Sequence, residues 1–214
     1  NFKRERPLET EFINGRKMPT KAELCRIKAW LVITRNGAKE YADFVLFCDS
    51  MPPDEIVEAL SKFDDCYPQP EGSEKASFQL IRMLSDPKPY DLLSEDVPEL
   101  SYSWDCVLKR CHGIADVLFD NFMFKCKVDD KKDGTKMEHR HIKDDFNLTP
   151  PGIEDVVMRG SFEDQRRLAR RIAQDPCGET AQFLEKILKA NPEELGSYGI
   201  VWSRFMSRVR LTNL

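Results

Sequence analysis

The chain has 214 residues, 41% apolar and 33% charged, with a net charge of −4. That balance suits a globular fold with its own core and excludes collagen-like, low-complexity and charge-driven disordered chains. No apolar run approaches the ~18 residues of a membrane helix, so no membrane span is expected.

Seven widely spaced cysteines, an odd number, fit reduced and buried thiols better than a disulfide framework. This places the expected home of the chain in the cytoplasm or nucleus. The first residue is Asn1 rather than Met, which reads as a trimmed or processed piece. Charge is uneven. Residues 1–42 carry ten Lys/Arg against five Asp/Glu, and residues 43–105 carry four against fifteen. A basic arm thus precedes a strongly acidic stretch, and the remainder is nearly balanced.

Residues 1–20 mix charges with Pro7, Gly15 and Pro19, show no period, and read as an extended basic arm. Ile27–Thr34 and Lys39–Phe47 flank Asn36-Gly37, which suits a type I′ turn because both central residues need positive φ. This predicts a β-hairpin whose core face carries Ile27, Ala29, Leu31, Ile33, Ala42, Phe44 and Leu46. Helices follow at Asp54–Phe63 and Glu74–Leu84. A third spans Ser103–Phe119, where Trp104, Val107, Cys111, Ala115 and Leu118 recur at helical spacing. A second hairpin is expected from the alternation of Phe122, Phe124, Cys126 and Val128, with its turn at Lys131–Gly134. After Pro150-Pro151 the chain reads as helical: Phe162–Ala173 behind a Ser161/Asp164 cap, then Glu179–Ala190, then a last helix opened by Asn191-Pro192. Gly196 and Gly199 weaken that last helix and predict a break near Gly199.

The expected fold is therefore α+β: two antiparallel β-hairpins forming a sheet packed by helices, followed by a mostly helical C-terminal region. Its organisation is an arm at 1–20, an α+β part at 21–150 and a helical part at 151–214 that packs on it as one unit.

Two clusters stand out chemically. Arg166, Arg167, Arg170 and Arg171, with Arg159 just before them, form i, i+4 pairs on one helix, with Leu168 and Ile172 facing the core. Guanidinium forks recognise phosphates and carboxylates, so this stripe is the expected contact for an anionic partner, RNA or an acidic protein surface. Cys126, His139 and His141 fall on one face of the second hairpin and can offer sulfur and nitrogen to zinc, with Cys111 or His112 as a further ligand. The plainer alternative is that this face is core. No phosphate loop, G-x-S-x-G or H-E-x-x-H pattern is present.

Together these features point to a non-enzymatic binding or assembly protein. Its basic arm and acidic stretch favour self-association. Its charge pattern is of a kind found in viral structural and accessory proteins. The alternative is a metal-dependent hydrolase or nuclease using the Cys/His cluster.

Overall fold

The computed structural model describes residues 4–91, 103–125 and 149–212. It divides into two compact units, 1–119 and 120–214.

The first unit opens with the only sheet among the described residues, an antiparallel pair of β1 (Thr10–Ile13) and β2 (Arg16–Pro19). Asn14 and Gly15 join the strands at φ 50° and 74°, the positive values that a type I′ turn requires. Helices α1 (Lys21–Arg35), α2 (Ala38–Asp49), α3 (Pro53–Ser61), α4 (Phe63–Cys66), α5 (Ala76–Ser85) and α6 (Trp104–Asp120) follow. α1 is the hub, packed by α2, α3 and α5. α6 joins through Trp104, edge-on to Tyr41 at 6.1 Å, and through the Arg110–Asp49 ion pair.

The α+β class and the helical C-terminal region hold, but the first hairpin is not where the sequence placed it. Residues 27–35 and 38–47 are helical. α1 starts at Thr20, whose hydroxyl accepts from the Glu23 amide at 3.1 Å. It buries Cys25, Ala29 and Val32, an i, i+4, i+7 set. In α2 the buried residues are Ala38, Tyr41, Ala42, Phe44, Val45 and Cys48, whereas Leu46, assigned to the core face of a strand, is exposed. A continuous apolar run lacks the alternation that separates strand from helix. Asn36 does adopt positive φ, but as the left-handed C-cap of α1, and Gly37 then starts α2. The hairpin belongs instead to the segment read as an extended arm.

A second difference lies at 121–125, expected to begin a strand. Asn121–Lys125 forms a single π-helical turn. Its neighbours Phe122 and Met123 are both buried, unlike the alternating pattern expected of that hairpin. The remainder of the second expected hairpin lies outside the described residues.

In the second unit, α7 (Pro150–Arg159), α8 (Phe162–Gln174), α9 (Glu179–Ala190) and α10 (Pro192–Thr212) enclose a core of Ile153, Leu168, Ile172, Leu184, Trp202 and Phe205. Trp202 is fully buried, with its ring edge-on to Phe205 at 5.6 Å. α10 breaks at Gly196 (φ 49°, ψ −131°), one turn before the expected site, because the conformation there is one an L side chain resists. Arg210 near its end pairs with Glu185 of α9 at 2.7 Å, and Arg208 pairs at 2.8 Å with Asp120, the residue at which this second unit begins.

The Arg210 guanidinium, helped by Lys189, holds the Glu185 carboxyl down at about 2, below its ordinary 4.5. A carboxylate depressed on folding contributes stability above its unfolded value and loses it as pH falls through the folded one. A wild-type excess in thermal stability over Glu185→Gln is therefore expected above pH 4.5, shrinking between about 4.5 and 2. Paired melting curves across that range check it.

Candidate functional site on helix α8

α8 begins with a capping box: Ser161 Oγ accepts from the Asp164 amide at 3.2 Å, and Asp164 Oδ2 accepts from the Ser161 amide at 3.1 Å. Two otherwise unpaired backbone donors are thereby satisfied, and the helix register is set from its first turn. That register turns Leu168, Ala169 and Ile172 inward. The opposite side presents Arg167, Arg170, Arg171 and Gln174, all exposed, at i, i+3, i+4 and i+7. These four line an open, shallow depression.

The stripe differs in composition from the expected one. Arg166, assigned to the outer face, has a side chain only 3% exposed. Its guanidinium lies over the Phe162 ring at 5.9 Å and 3.6 Å from Glu163. Because successive residues on a helix turn by about 100°, 166 and 167 cannot both share the centre of one face. Arg159 sits in the last turn of α7 with Asp155 at 3.9 Å, outside the α8 register. Arg167 has Glu163 at 3.7 Å. The outward cationic face of α8 is thus Arg167, Arg170 and Arg171.

The zinc candidates Cys126, His139 and His141 lie outside the described residues. Cys111, offered as a further ligand, is fully buried, and burial pushes its thiol up to about 12, so it stays protonated. Among the described residues no three His, Cys, Asp or Glu side chains are grouped to hold a metal ion.

Sequence reasoning missed a buried ionic cluster in the first unit. Glu23 of α1 is 0% exposed and receives two guanidinium groups. Arg4 reaches it at 2.7 Å and Arg26 at 2.9 Å. Arg26, itself buried, also binds Glu9 at 2.6 Å and the Ala59 carbonyl at 3.0 Å. Arg4 further donates to the Tyr67 hydroxyl at 2.9 Å, and Tyr67 stacks on Trp30 at 4.5 Å. The cluster joins the start of the chain, the foot of β1, α1 and α4. A signal existed: Glu23 and Arg26 sit at i, i+3 inside a largely apolar helix, where charges survive only in pairs.

No protein-family model matches the chain, and no solved structure matches it. Three curated relatives are informative. The chain is 31% identical over 121 residues to the heme uptake protein MmpL11 of Mycobacterium tuberculosis, and equally so to the probable transport protein MmpL11 of Mycobacterium bovis. It is 32% identical over 104 residues to the mycolic acid-containing lipids exporter MmpL11 of Mycolicibacterium smegmatis. The matches take in 53%, 53% and 46% of this chain but only 12%, 12% and 11% of the relatives. The chain thus spans about a tenth of the length of the proteins it resembles.

These likenesses overturn the expectation of a viral or RNA-binding assembly protein, since the relatives are bacterial transport proteins. They equally overturn the expected cytoplasmic or nuclear home, since the relatives are named as transport, uptake and export proteins. Reduced thiols and the absence of a long apolar run do not by themselves fix a compartment.

Exposed and buried arginines should separate cleanly in stability. Arg166→Ala removes a packed side chain and is expected to cost about 1–3 kcal/mol. Arg170→Glu with Arg171→Glu is expected to stay within about 1 kcal/mol of wild type, as surface substitutions do. Urea titrations of the three proteins measure both.

Proposed function

We propose that this chain is a module of a membrane transport protein, lying against the bilayer rather than within it and serving the passage of a large amphipathic cargo. The likeness to the MmpL11 transport proteins over about half of the chain carries this reading. The relatives are named for heme uptake and for export of mycolic acid-containing lipids. Both cargoes pair a large apolar body with a polar or anionic end.

The helices support the placement of the module. Their outer faces carry charge at regular spacing, as in Arg167, Arg170 and Arg171 of α8 and in Glu185 and Lys189 of α9. Such faces suit water or polar headgroups, because a charge facing hydrocarbon is costly. No helix among the described residues is long and apolar enough to cross a membrane. Arg167, Arg170 and Arg171 of α8, with Arg159 at the end of α7, form the module's contact with an anionic surface, for which guanidinium groups are chemically suited.

An antibody raised against the chain should detect a transporter-sized polypeptide in the membrane fraction of the source cell, retained after an alkaline carbonate wash. Removing this segment from that protein should lower cargo accumulation or export. A free polypeptide in the soluble fraction would overturn the reading.

A further inference from the structure

The β1–β2 hairpin has an unusual surface. Every β1 residue is exposed, as are Arg16, Lys17 and Met18 of β2. Among them are three large apolar side chains: Phe12 at 76% exposure, Ile13 at 45% and Met18 at 43%. The register pairs Phe12 with Lys17 and Ile13 with Arg16. Side chains alternate between faces along a strand, so Phe12 and Lys17 lie on one face, and Ile13, Arg16 and Met18 lie on the other. Each face of the tip therefore carries both an apolar group and a cation.

This distribution bears on the occupant. A protein groove or a second sheet would cover one face and leave the opposite apolar group in water. A bilayer interface surrounds an inserted tip on all sides, taking up apolar groups at its acyl boundary while long cationic side chains reach back to phosphates. Arg16 and Lys17 supply charge complementary to anionic lipid. Glu11, the acid nearest the turn, lies two residues further from it than Ile13. The hairpin is also held firmly at its foot: the Thr20 amide donates to the Glu9 carbonyl at 2.9 Å, and the Glu9 carboxylate is bound by buried Arg26.

We propose that the β1–β2 hairpin is a membrane-surface anchor that inserts Phe12 and Ile13 into the interfacial layer of an anionic phospholipid bilayer, with Arg16 and Lys17 on lipid phosphates. The proposal rests on the membrane-transport reading for its setting and deepens it by assigning the contact.

The purified 214-residue chain should float with vesicles of equal parts phosphatidylglycerol and phosphatidylcholine, and only weakly with phosphatidylcholine alone. Added salt should weaken the binding. Arg16→Glu with Lys17→Glu should lower partitioning by roughly tenfold or more, as two lost cations and two added anions require. Phe12→Ser with Ile13→Ser should lower it comparably at unchanged melting temperature. Leu211→Ser, at an apolar side chain exposed elsewhere in the chain, should leave it intact. Failure of the wild type to bind anionic vesicles overturns the proposal, as does full binding by the folded Phe12→Ser/Ile13→Ser protein. A dimer abolished by those same substitutions, without vesicle binding, overturns it in favour of a second copy as occupant. Cell fractionation is a separate readout. A soluble native protein whose hairpin still binds vesicles refutes the transport reading alone.

Discussion

Glu23 is a fully buried carboxylate, held by Arg4 from the beginning of the chain and Arg26 from its own helix. An isolated buried charge is prohibitively costly, and here the cost is offset only while both guanidinium groups stay in place. That condition couples the entry of the chain to helices that also pack on one another through apolar side chains, as Trp30 does against Tyr67. Arg26 also grips Glu9 at the foot of the hairpin and the Ala59 carbonyl in α3, while Arg4 bonds to Tyr67 just past α4. The entry of the chain, its only described sheet and three helices thus meet at one electrostatic knot. Replacing such a group with a packed apolar residue is often neutral, so the knot's value lies as much in position as in energy.

Much of the helical architecture was legible because its signals are local. α8 followed from a Ser161/Asp164 cap and apolar spacing, and α6 from the recurrence of Val107, Cys111, Ala115 and Leu118. The first hairpin was misplaced because two Asn-Gly dipeptides compete in this sequence. Asn14-Gly15 closes a real type I′ turn, while Asn36-Gly37 makes a helix-to-helix corner. Both asparagines adopt positive φ, so the dipeptide reports a reversal of direction and not the structure on either side. The deciding signal at the second site was Thr20 with Glu23 three residues on, a helix start that excludes a strand across 27–34. The arginine stripe was visible as a pattern, but burial of Arg166 was not, since it depends on packing against Phe162 and its surroundings. The Glu23 cluster joins residues up to 63 positions apart, a separation at which sequence periodicity carries no information.

The functional error has a different origin. Composition describes the segment in hand, and a segment without an apolar span is compatible with a protein that has many elsewhere. The relatives are about eight to nine times as long as their match to this chain, so the residues speak for the matched tenth and not for the rest of such proteins. Within this chain the acidic and basic stretches, first read as surfaces for self-association, are partly consumed internally. Arg4, Arg26 and Lys62 are engaged with Glu23 and Glu9, and Arg6 with Asp65. Charge that is spent inside a fold is not available to a partner.

The same accounting explains why the hairpin keeps its shape. A two-stranded ribbon with both faces in water is at best marginally stable by itself. Four residues per strand, with no apolar face buried, cannot hold their own register by packing. What holds β1 and β2 together is the ladder, the Asn14-Gly15 turn and the fastening of Glu9 and Thr20 at the open end. The hydrogen bond from Arg26 lowers the Glu9 carboxyl from its ordinary value, which favours the ionised form that the fastening uses. Loosening the Glu23 knot should fray the hairpin before it unfolds the helices. Glu23→Ala leaves Arg26 buried with half its counter-charge, an effect of about 3–5 kcal/mol, and frees Arg4 from its main partner. Limited proteolysis should then cut within residues 5–20 at denaturant concentrations where α1 and α2 still resist exchange with solvent deuterium. Simultaneous loss of both protections would mean that the hairpin is held by the unit as a whole and not by this carboxylate.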